Sequence, residues 1–378
     1  MEASILSSRS SIITSIIIVL LVFSGVGLSI FMSNPYVPAK IAVVVNEPGF
    51  GDLTMADQVL TGLEELGGDV VVDYTYFTAT DEANAAVILE EISVSNEYDL
   101  IVVIGGELGD ELQSVAAIHL NQKYAFIGGE VVADNVFSAS FLQHEAAFLA
   151  GVLAALTSIG DVNRTGTGIV GIIGSIEADP TVAAMVAGFK QGFDYANNTL
   201  NLTVTLLTEE YVGSYNDSVE AEEIAFDMFN ASDATVLFTP VRASMPGIRS
   251  AMILANSTWN STRRPLVIAA EGDQDYFGLP DINTRTGHSW IIASIVPRSD
   301  HAVYQVINAT LWDEFEGDTL VYDLEKAGND LETPGVILTN STFINPRWTP
   351  LSIFSTVELV RQDIISGIIT VETTYTPP

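Results

Sequence analysis

The stretch GIVGIIG at residues 168–174, with SIEADP at residues 175–180 behind it, sets the pattern for the rest of the chain. Its β-branched residues predict a buried strand, and the polar residues that follow predict a loop at the carboxyl end of that strand. Asp179 is a favourable N-cap and Pro180 suits the first helical position, so a helix is expected to begin there. Apolar residues at helical spacing give this helix one face that packs on the sheet: Met185, Phe189 and Phe193.

The same unit recurs along the chain. Apolar runs predict further strands at residues 41–45, 70–77, 100–104, 124–127, 202–207, 234–239, 266–270 and 290–294. Helical patterns separate most of them, and the one at residues 141–157 is strongly periodic. This alternation predicts right-handed βαβ units and parallel sheets, and it runs twice, which indicates two similar lobes. Parallel sheets bind ligands at the carboxyl ends of their strands, so functional residues are expected in the strand-end loops.

The composition argues against several classes of function. The 378-residue chain carries 14 basic and 48 acidic residues, a net charge of −34, which would repel nucleic acid and anionic lipid headgroups. Cysteine is absent, which excludes disulfides, thiolate metal sites and cysteine nucleophiles. The sequence GTGIVG at residues 166–171 matches GxGxxG by letter, but it enters a strand instead of following one and cannot cradle a pyrophosphate. With four scattered histidines and no GxSxG or P-loop, the sequence predicts no enzyme, metal site or cofactor.

The N-terminal segment predicts attachment to a membrane. Residues 11–32 contain no charge and are long enough to span a bilayer, longer than the apolar region of a usual signal peptide. An uncleaved anchor is therefore favoured, and a long cleaved signal peptide is the alternative. Arg9 is the only basic residue before this segment and favours a cytoplasmic N-terminus. Residues 33–38 then form a short linker.

Asn-x-Ser/Thr sequons recur along the chain from residue 163 onward. Together they predict an exported, glycosylated surface, and chance matches in a sequence rich in Asn and Thr are the alternative. The nine sequons begin at Asn163, Asn197, Asn201, Asn216, Asn230, Asn256, Asn260, Asn308 and Asn340.

Five segments, from about Lys40 to Thr370, resemble in order the motifs of one family, the BMP (basic membrane protein) substrate-binding lipoproteins of ABC transporters. FGDLT at residues 50–54 resembles the family's F-N-D-x-S turn, and FLQHEAAFLAG at 141–151 resembles its F-x(3)-E-G-S-F-L-A-G helix. GIIG at residues 171–174, with Pro180 and GFKQG at 188–192, resembles its strand–helix signature. GSYND at residues 213–217 resembles its G-S-F-x-D turn, and EGDQ at 271–274 resembles its D-x-D-Q segment.

The chain departs from the family pattern at four points. The family's lipid-anchoring cysteine is missing, which fits an apolar anchor that takes over the tethering. The lysine of the family's Ser-x-x-Lys falls at Pro297, with Arg298 beside it. The Ala-Gly-rich loop is TPVRAS at residues 239–244, and the first Asp of D-x-D-Q is Glu271.

The resemblance implies a type I periplasmic-binding-protein fold, with two doubly wound parallel-sheet lobes, a hinge of three crossing strands and a central ligand cleft. Residues 1–38 are then the anchor or signal segment with its linker. Lobe I is expected to comprise residues 39–138 and 275–316, and lobe II residues 139–274 and 317–372.

Characterised members of the family bind nucleosides, so the strand-end loops supply six candidate ligand-binding residues: Phe50, Asp52, Tyr215, Gly247, Glu271 and Arg298. Phe50 and Tyr215 follow strands of opposite lobes and could hold a base between them. Asp52 and Glu271 could accept ribose hydroxyl protons, and Arg298 could act as a polar clamp. The plainer alternatives are a loop plug for Phe50, a surface position for Tyr215, and loop solvation or helix capping for the two carboxylates.

The expected function is therefore that of an extracellular, membrane-tethered solute-binding protein of an ABC importer. Its partners would be a nucleoside-like small molecule and the transporter permease, with no nucleic acid. A ligand-sensing or structural surface glycoprotein with the same fold is the alternative.

Overall fold

The structure is a computed structural model, which describes residues 38–66, 72–260, 262–340 and 348–377. The predicted anchor at residues 11–32 lies outside these ranges. Among the helices that are described, none is both long enough and apolar enough to cross a membrane.

Strands and helices alternate along much of the chain, as predicted. The strands are β1 (Ala39–Asn46), β2 (Val72–Ala79), β3 (Leu100–Ile104), β4 (Tyr124–Ile127), β5 (Val136–Phe141), β6 (Gly160–Asp161), β7 (Arg164–Thr165), β8 (Ile169–Gly174), β9 (Thr205–Leu206), β10 (Glu210–Tyr211), β11 (Val236–Thr239), β12 (Leu266–Ala269), β13 (Ile291–Pro297), β14 (Thr319–Tyr322) and β15 (Val336–Leu338). The helices are α1 (Met55–Leu66), α2 (Glu82–Ser95), α3 (Gly109–Ala116), α4 (Gln143–Ser158), α5 (Pro180–Thr199), α6 (Ser218–Asn230), α7 (Met245–Thr258), α8 (Ser299–Leu311) and α9 (Leu351–Ile365).

Two sheets organise the compact unit formed by Lys40–Pro378. The first sheet has the order β14-β5-β4-β3-β1-β2, and β1, β3, β4, β5 and β14 pair in parallel. The second has the order β10-β8-β11-β12-β13-β15, with β9 also beside β8, and only its β13–β15 pair is antiparallel. These two parallel α/β lobes confirm the predicted fold class.

The chain passes between the sheets three times: after β5, after β13 and after β14. Strand β13 pairs with β12 in the second sheet, and β14 pairs with β5 in the first. The predicted lobe boundaries at residues 275 and 317 therefore do not coincide with the crossings in the structure. A central strand of either lobe is a buried apolar run. The hydrophobic periodicity of β13 therefore could not show which of the two sheets β13 joins.

The core of the second lobe is built around α4. Nearly every residue of this helix is buried, because its sequence is apolar on all sides and it lies between the sheet, α5 and α9. Helix α5 approaches it so closely that a Cβ on Gly192 would lie 1.9 Å from the carbonyl oxygen of Phe148. This packing fixes the start of α5, and with it the loop that α5 presents to the cleft.

Candidate ligand-binding cleft

The loops at the carboxyl ends of the strands in both sheets meet in one cleft. The first lobe contributes the loop after β1, which contains Asp52, and the turn after β3, which contains Glu107. The second lobe contributes Asp179 at the start of α5 and Glu271 directly beyond the end of β12. The structure thus places the candidate site where a parallel α/β fold is expected to bind a ligand.

Arg242 lies at the centre of this cleft. It follows β11 and has a left-handed backbone conformation, with φ of +46°, at the start of a 3₁₀ turn. Its Nε donates a hydrogen bond to Glu271 Oε2 at 2.6 Å. Its Nη2 lies 3.5 Å from Asp179 Oδ2, and its Nη1 lies 3.7 Å from Glu107 Oε1 in the other lobe. Burial opposes the charge on Arg242, but these carboxylates outweigh it and raise the pKa, so Arg242 stays a cation.

Tyr215 supports Arg242 from one side. The guanidinium carbon lies 4.2 Å from the centroid of the Tyr215 ring, a cation–π contact. The phenol donates a hydrogen bond of 2.6 Å to Asp179 Oδ2, and the other oxygen of Asp179 caps α5 by accepting from the Thr181 and Val182 amides. Burial and the bond to Asp179 both raise the pKa of Tyr215, so the phenol keeps its proton.

Glu271 carries an unused hydrogen-bond acceptor. Only 2% of the residue is exposed, and its Oε1 has no hydrogen-bond partner among the described residues. Burial raises the pKa of Glu271 to about 7, with Arg242 opposing that shift and Asp179 adding to it. Asp52 is also buried, and burial raises its pKa although Thr54 donates to Asp52 Oδ1 from both its amide and its hydroxyl.

Three adjoining cavities occupy the cleft. The largest, about 460 Å³, is bounded by Gly106, Glu107 and Gly128 of the first lobe and by Thr181 and Tyr215 of the second. Two smaller cavities, of about 50 and 140 Å³, both reach Asp52 and Arg242. Glu271 and Asn46 line the first of these, and Phe50 lines the second. In the part of the chain that is described, no group of three or more His, Cys, Asp or Glu could hold a metal ion.

The six predicted residues fall into two groups. Asp52, Tyr215 and Glu271 come together around Arg242. Phe50 lines the adjoining cavity while its ring contacts Tyr76 edge-on, with 5.3 Å between centroids, so it is both a loop contact and a cleft residue.

Gly247 and Arg298 lie elsewhere. Gly247 is inside α7 at the contact with α6, where a Cβ would lie 2.0 Å from the carbonyl oxygen of Ser218, so its role there is close helix packing. Arg298 precedes α8 and forms a forked ion pair with Asp300, with Nη2 2.9 Å from Oδ2. Neither lines the three cavities of the cleft.

Sequence reasoning missed three members of the site: Arg242, Asp179 and Glu107. Asp179 was assigned only as a helix cap, and one carboxylate oxygen does cap α5 while the other faces the cleft. The available signal for Arg242 was its position directly after a buried strand, as one of only 14 basic residues in a strongly acidic chain.

Known proteins resemble this chain over most of its length. A profile of the family described as "Bmp: ABC transporter substrate-binding protein PnrA-like" matches residues 39–346. The ABC transporter nucleoside-binding protein BmpA of Lactococcus lactis is 25% identical, and the alignment covers 88% of each chain. An uncharacterized lipoprotein of Pyrococcus furiosus is 26% identical over 76% of this chain and 69% of its own.

Solved structures support the same assignment at the level of fold. A solute-binding protein of an ABC transporter system from Aeropyrum pernix superposes with a TM-score of 0.72 at 23% identity, covering 90% of this chain and 94% of its own. A second, from Conexibacter woesei, gives a TM-score of 0.65 at 16% identity, covering 89% and 100%. The fold is that of a type I periplasmic solute-binding protein, as predicted. The chain therefore belongs to the Bmp family of PnrA-like ABC transporter substrate-binding proteins, which bind solutes and are not enzymes.

Proposed function

We propose that this substrate-binding protein captures a nucleoside-like small molecule in its interlobe cleft and delivers it to the permease of an ABC importer. One observation carries the choice of ligand: the buried Oε1 of Glu271 has no hydrogen-bond partner among the described residues, and it lies in the cavity that Asp52 also lines. A buried acceptor without a donor is costly, so a ligand that supplies O–H or N–H groups is favoured there. Sugar hydroxyls are such donors, and BmpA of Lactococcus lactis is named a nucleoside-binding protein.

The charge of the cleft favours an unphosphorylated ligand. Four carboxylates, those of Asp52, Glu107, Asp179 and Glu271, surround the single guanidinium of Arg242. A phosphate would face several of these carboxylates in a partly desolvated space, where like charges repel strongly. The proposed ligand class is therefore the nucleoside and not the nucleotide.

A ligand screen on the full-length chain, purified in detergent, tests this proposal by thermal unfolding. The panel comprises nucleosides, their free bases, ribose, nucleoside 5′-monophosphates and amino acids. A ligand that binds only the folded state increases the free energy of unfolding, by about 2.7 kcal/mol at a concentration of a hundred times Kd, and so raises the unfolding temperature. We expect nucleosides to do so and monophosphates not to. A shift with amino acids or simple sugars, and none with nucleosides, would assign the cleft to another solute.

We also propose that residues 11–32 hold the protein at the extracellular face of the membrane and that exposed sequons carry glycans. The relatives include lipoproteins, which are membrane-tethered, and this chain has no cysteine for a lipid. Six sequon asparagines are exposed, whereas Asn197, Asn256 and Asn308 are half-buried; the exposed ones are Asn163, Asn201, Asn216, Asn230, Asn260 and Asn340.

Mass spectrometry of the protein extracted from its native membranes tests both parts. Retention of residues 11–32 is expected in the mature chain, with glycan mass on peptides that contain exposed sequons. A mature N-terminus near Ser33 would show that the segment is a cleaved signal. Unmodified peptides at all six exposed sequons would show that the matches arose by chance.

A further inference from the structure

The Tyr215–Arg242 stack changes which surface of the second lobe a ligand can meet. One face of the Tyr215 ring is covered by the Arg242 guanidinium at 4.2 Å, so no base can lie on that face. Tyr215 is also held in place through its hydroxyl by Asp179. We propose that Arg242 is a second-lobe platform on which the ring of the ligand stacks, and that it thereby determines specificity for the base. This inference rests on the proposed nucleoside function.

The position of Arg242 fits that role. It lines the cavity of about 140 Å³ that Phe50 also lines, and the cavity that contains Asp52 and Glu271. A ring that enters between Phe50 and Arg242 would have an aromatic edge or face on one side and a planar cation on the other. Guanidinium planes stack on aromatic rings and on bases.

Groups of the protein itself also orient the guanidinium. Its Nε is bonded to Glu271, its two Nη atoms point towards Asp179 and Glu107, and Tyr215 supports one face. A group that is already fixed loses little conformational entropy when the ligand binds. Tyr215, Asp179 and Glu271 then act through Arg242 as positioning residues for the base.

This arrangement narrows the ligand class. A cation attracts the electron-rich face of an aromatic ring, and repels a ring that itself carries positive charge. The surrounding carboxylates repel a ring that carries an anionic substituent. The platform therefore suits a neutral, electron-rich heterocycle, with hydroxyl donors attached to reach Asp52 and Glu271.

Isothermal titration of the full-length chain with three probes tests the platform. The probes are the nucleoside that binds most tightly in the screen, its free base, and methyl β-D-ribofuranoside. Arg242→Lys keeps the charge but removes the planar surface. It should weaken binding of the nucleoside and of the free base alike, by about five- to thirty-fold, and should weaken binding of the riboside by less than that.

Arg263→Lys is the matched control, because Arg263 also stacks on an aromatic ring, 3.7 Å from Trp259, and pairs with Asp233, outside the cleft cavities. It should bind all three probes as the parent does. Arg242→Gln keeps a planar group and a donor for Glu271, so its affinity for the base should fall between those of the parent and Arg242→Lys. It serves as a second variant if the lysine destabilises the chain.

Three outcomes are distinguishable. If Arg242→Lys binds the riboside and the base with equally reduced affinity, Arg242 supports the cleft as a whole and the proposed stacking platform is wrong. Parental affinity for the base in both Arg242 variants would overturn it as well. If the parent protein binds no nucleoside, the proposed function is wrong, and so is this inference, which rests on it.

Discussion

Glu271 links ligand binding in the cleft to pH. Burial raises its pKa from the ordinary 4.5 to about 7, although Arg242 donates to it at 2.6 Å. The charged groups that face it are Arg242, Asp179 and Asp52, and the pKa of Asp52 is raised by burial too. Near neutral pH the Glu271 carboxyl is therefore divided between its two protonation states.

Nucleoside affinity should rise with pH. A hydroxyl donates most strongly to the ionised carboxylate, which with a pKa of about 7 is about one-tenth populated at pH 6 and nine-tenths at pH 8. Affinity measured by titration calorimetry should therefore increase about tenfold across that range, and in Glu271→Gln the increase should disappear. An unchanged pH profile in Glu271→Gln would assign the titration to another group.

Glu145 provides the control. Burial raises its pKa to about 7 as well, but its neighbours are Leu324 and Asp323, not the cleft residues. Glu145→Gln should keep the parental pH dependence of binding. The pH dependence of stability alone could not distinguish Glu145 from Glu271. Each has a folded pKa above 4.5, so each contributes fully to the free energy of unfolding below pH 4.5 and loses that contribution as pH rises through about 7.

The site could be predicted from sequence only where residue position was enough. The strand-end rule brought Asp52, Tyr215 and Glu271 to one region, and their roles towards a ligand stay predictions. It could not show that Arg242 would fold back between two lobes, because that contact depends on groups far apart in sequence. Nor could position alone show that Glu271 supports the fold. Its truncation would lower stability, because it would leave the buried Arg242 without its nearest partner.

Among the elements, buried strands and the long helices were the most predictable. The strand predicted at residues 100–104 is β3 itself, and the run at 266–270 differs from β12 by one residue. The predicted strand at 202–207 shrinks to the two residues of β9. Strand β5, with the sequence VFSASF, was not predicted because it is followed directly by the apolar pattern of α4. That helix was predicted to begin at residue 141, and in the structure it begins at Gln143.

The last two strands, β14 and β15, were not predicted, for a different reason. β14 and β15 are short and only partly buried, so neither carries the continuous apolar run of a central strand. Each is specified by its partner, β5 for β14 and β13 for β15, and not by its own residues. Such edge strands follow from tertiary contacts, and the chain crosses between the two lobes on either side of β14.

Across the whole molecule, the two lobes touch directly at the cleft. The Gln274 side chain of the second lobe donates a 2.8 Å hydrogen bond to the Asp52 carbonyl of the first. Next to it, Gly272 lies so near the first lobe that a Cβ would come within 2.1 Å of the Leu53 carbonyl oxygen. Arg242 and Glu107 add an ion pair across the same boundary. The structure is therefore a closed arrangement, which depends on the absence of a side chain at residue 272.

Gly272→Ala should hold the lobes apart. Its backbone is not in the left-handed region, so alanine is tolerated locally, and the added Cβ would collide with the Leu53 backbone only when the cleft closes. The parent should show a smaller radius of gyration by small-angle scattering when saturating nucleoside is added, as hinge closure requires. In Gly272→Ala that decrease should shrink. Affinity should fall by about five- to 160-fold, because overpacking at such a contact costs about 1–3 kcal/mol.

Gly109→Ala is the control for this test. Gly109 has an ordinary helical backbone at the start of α3, and a Cβ there would make a normal contact, 3.4 Å from the Phe126 ring. That variant should close and bind like the parent. If Gly272→Ala also closes fully and keeps its affinity, the contact between Gly272 and Leu53 does not limit closure, and the lobes must meet through Arg242 and Gln274 instead.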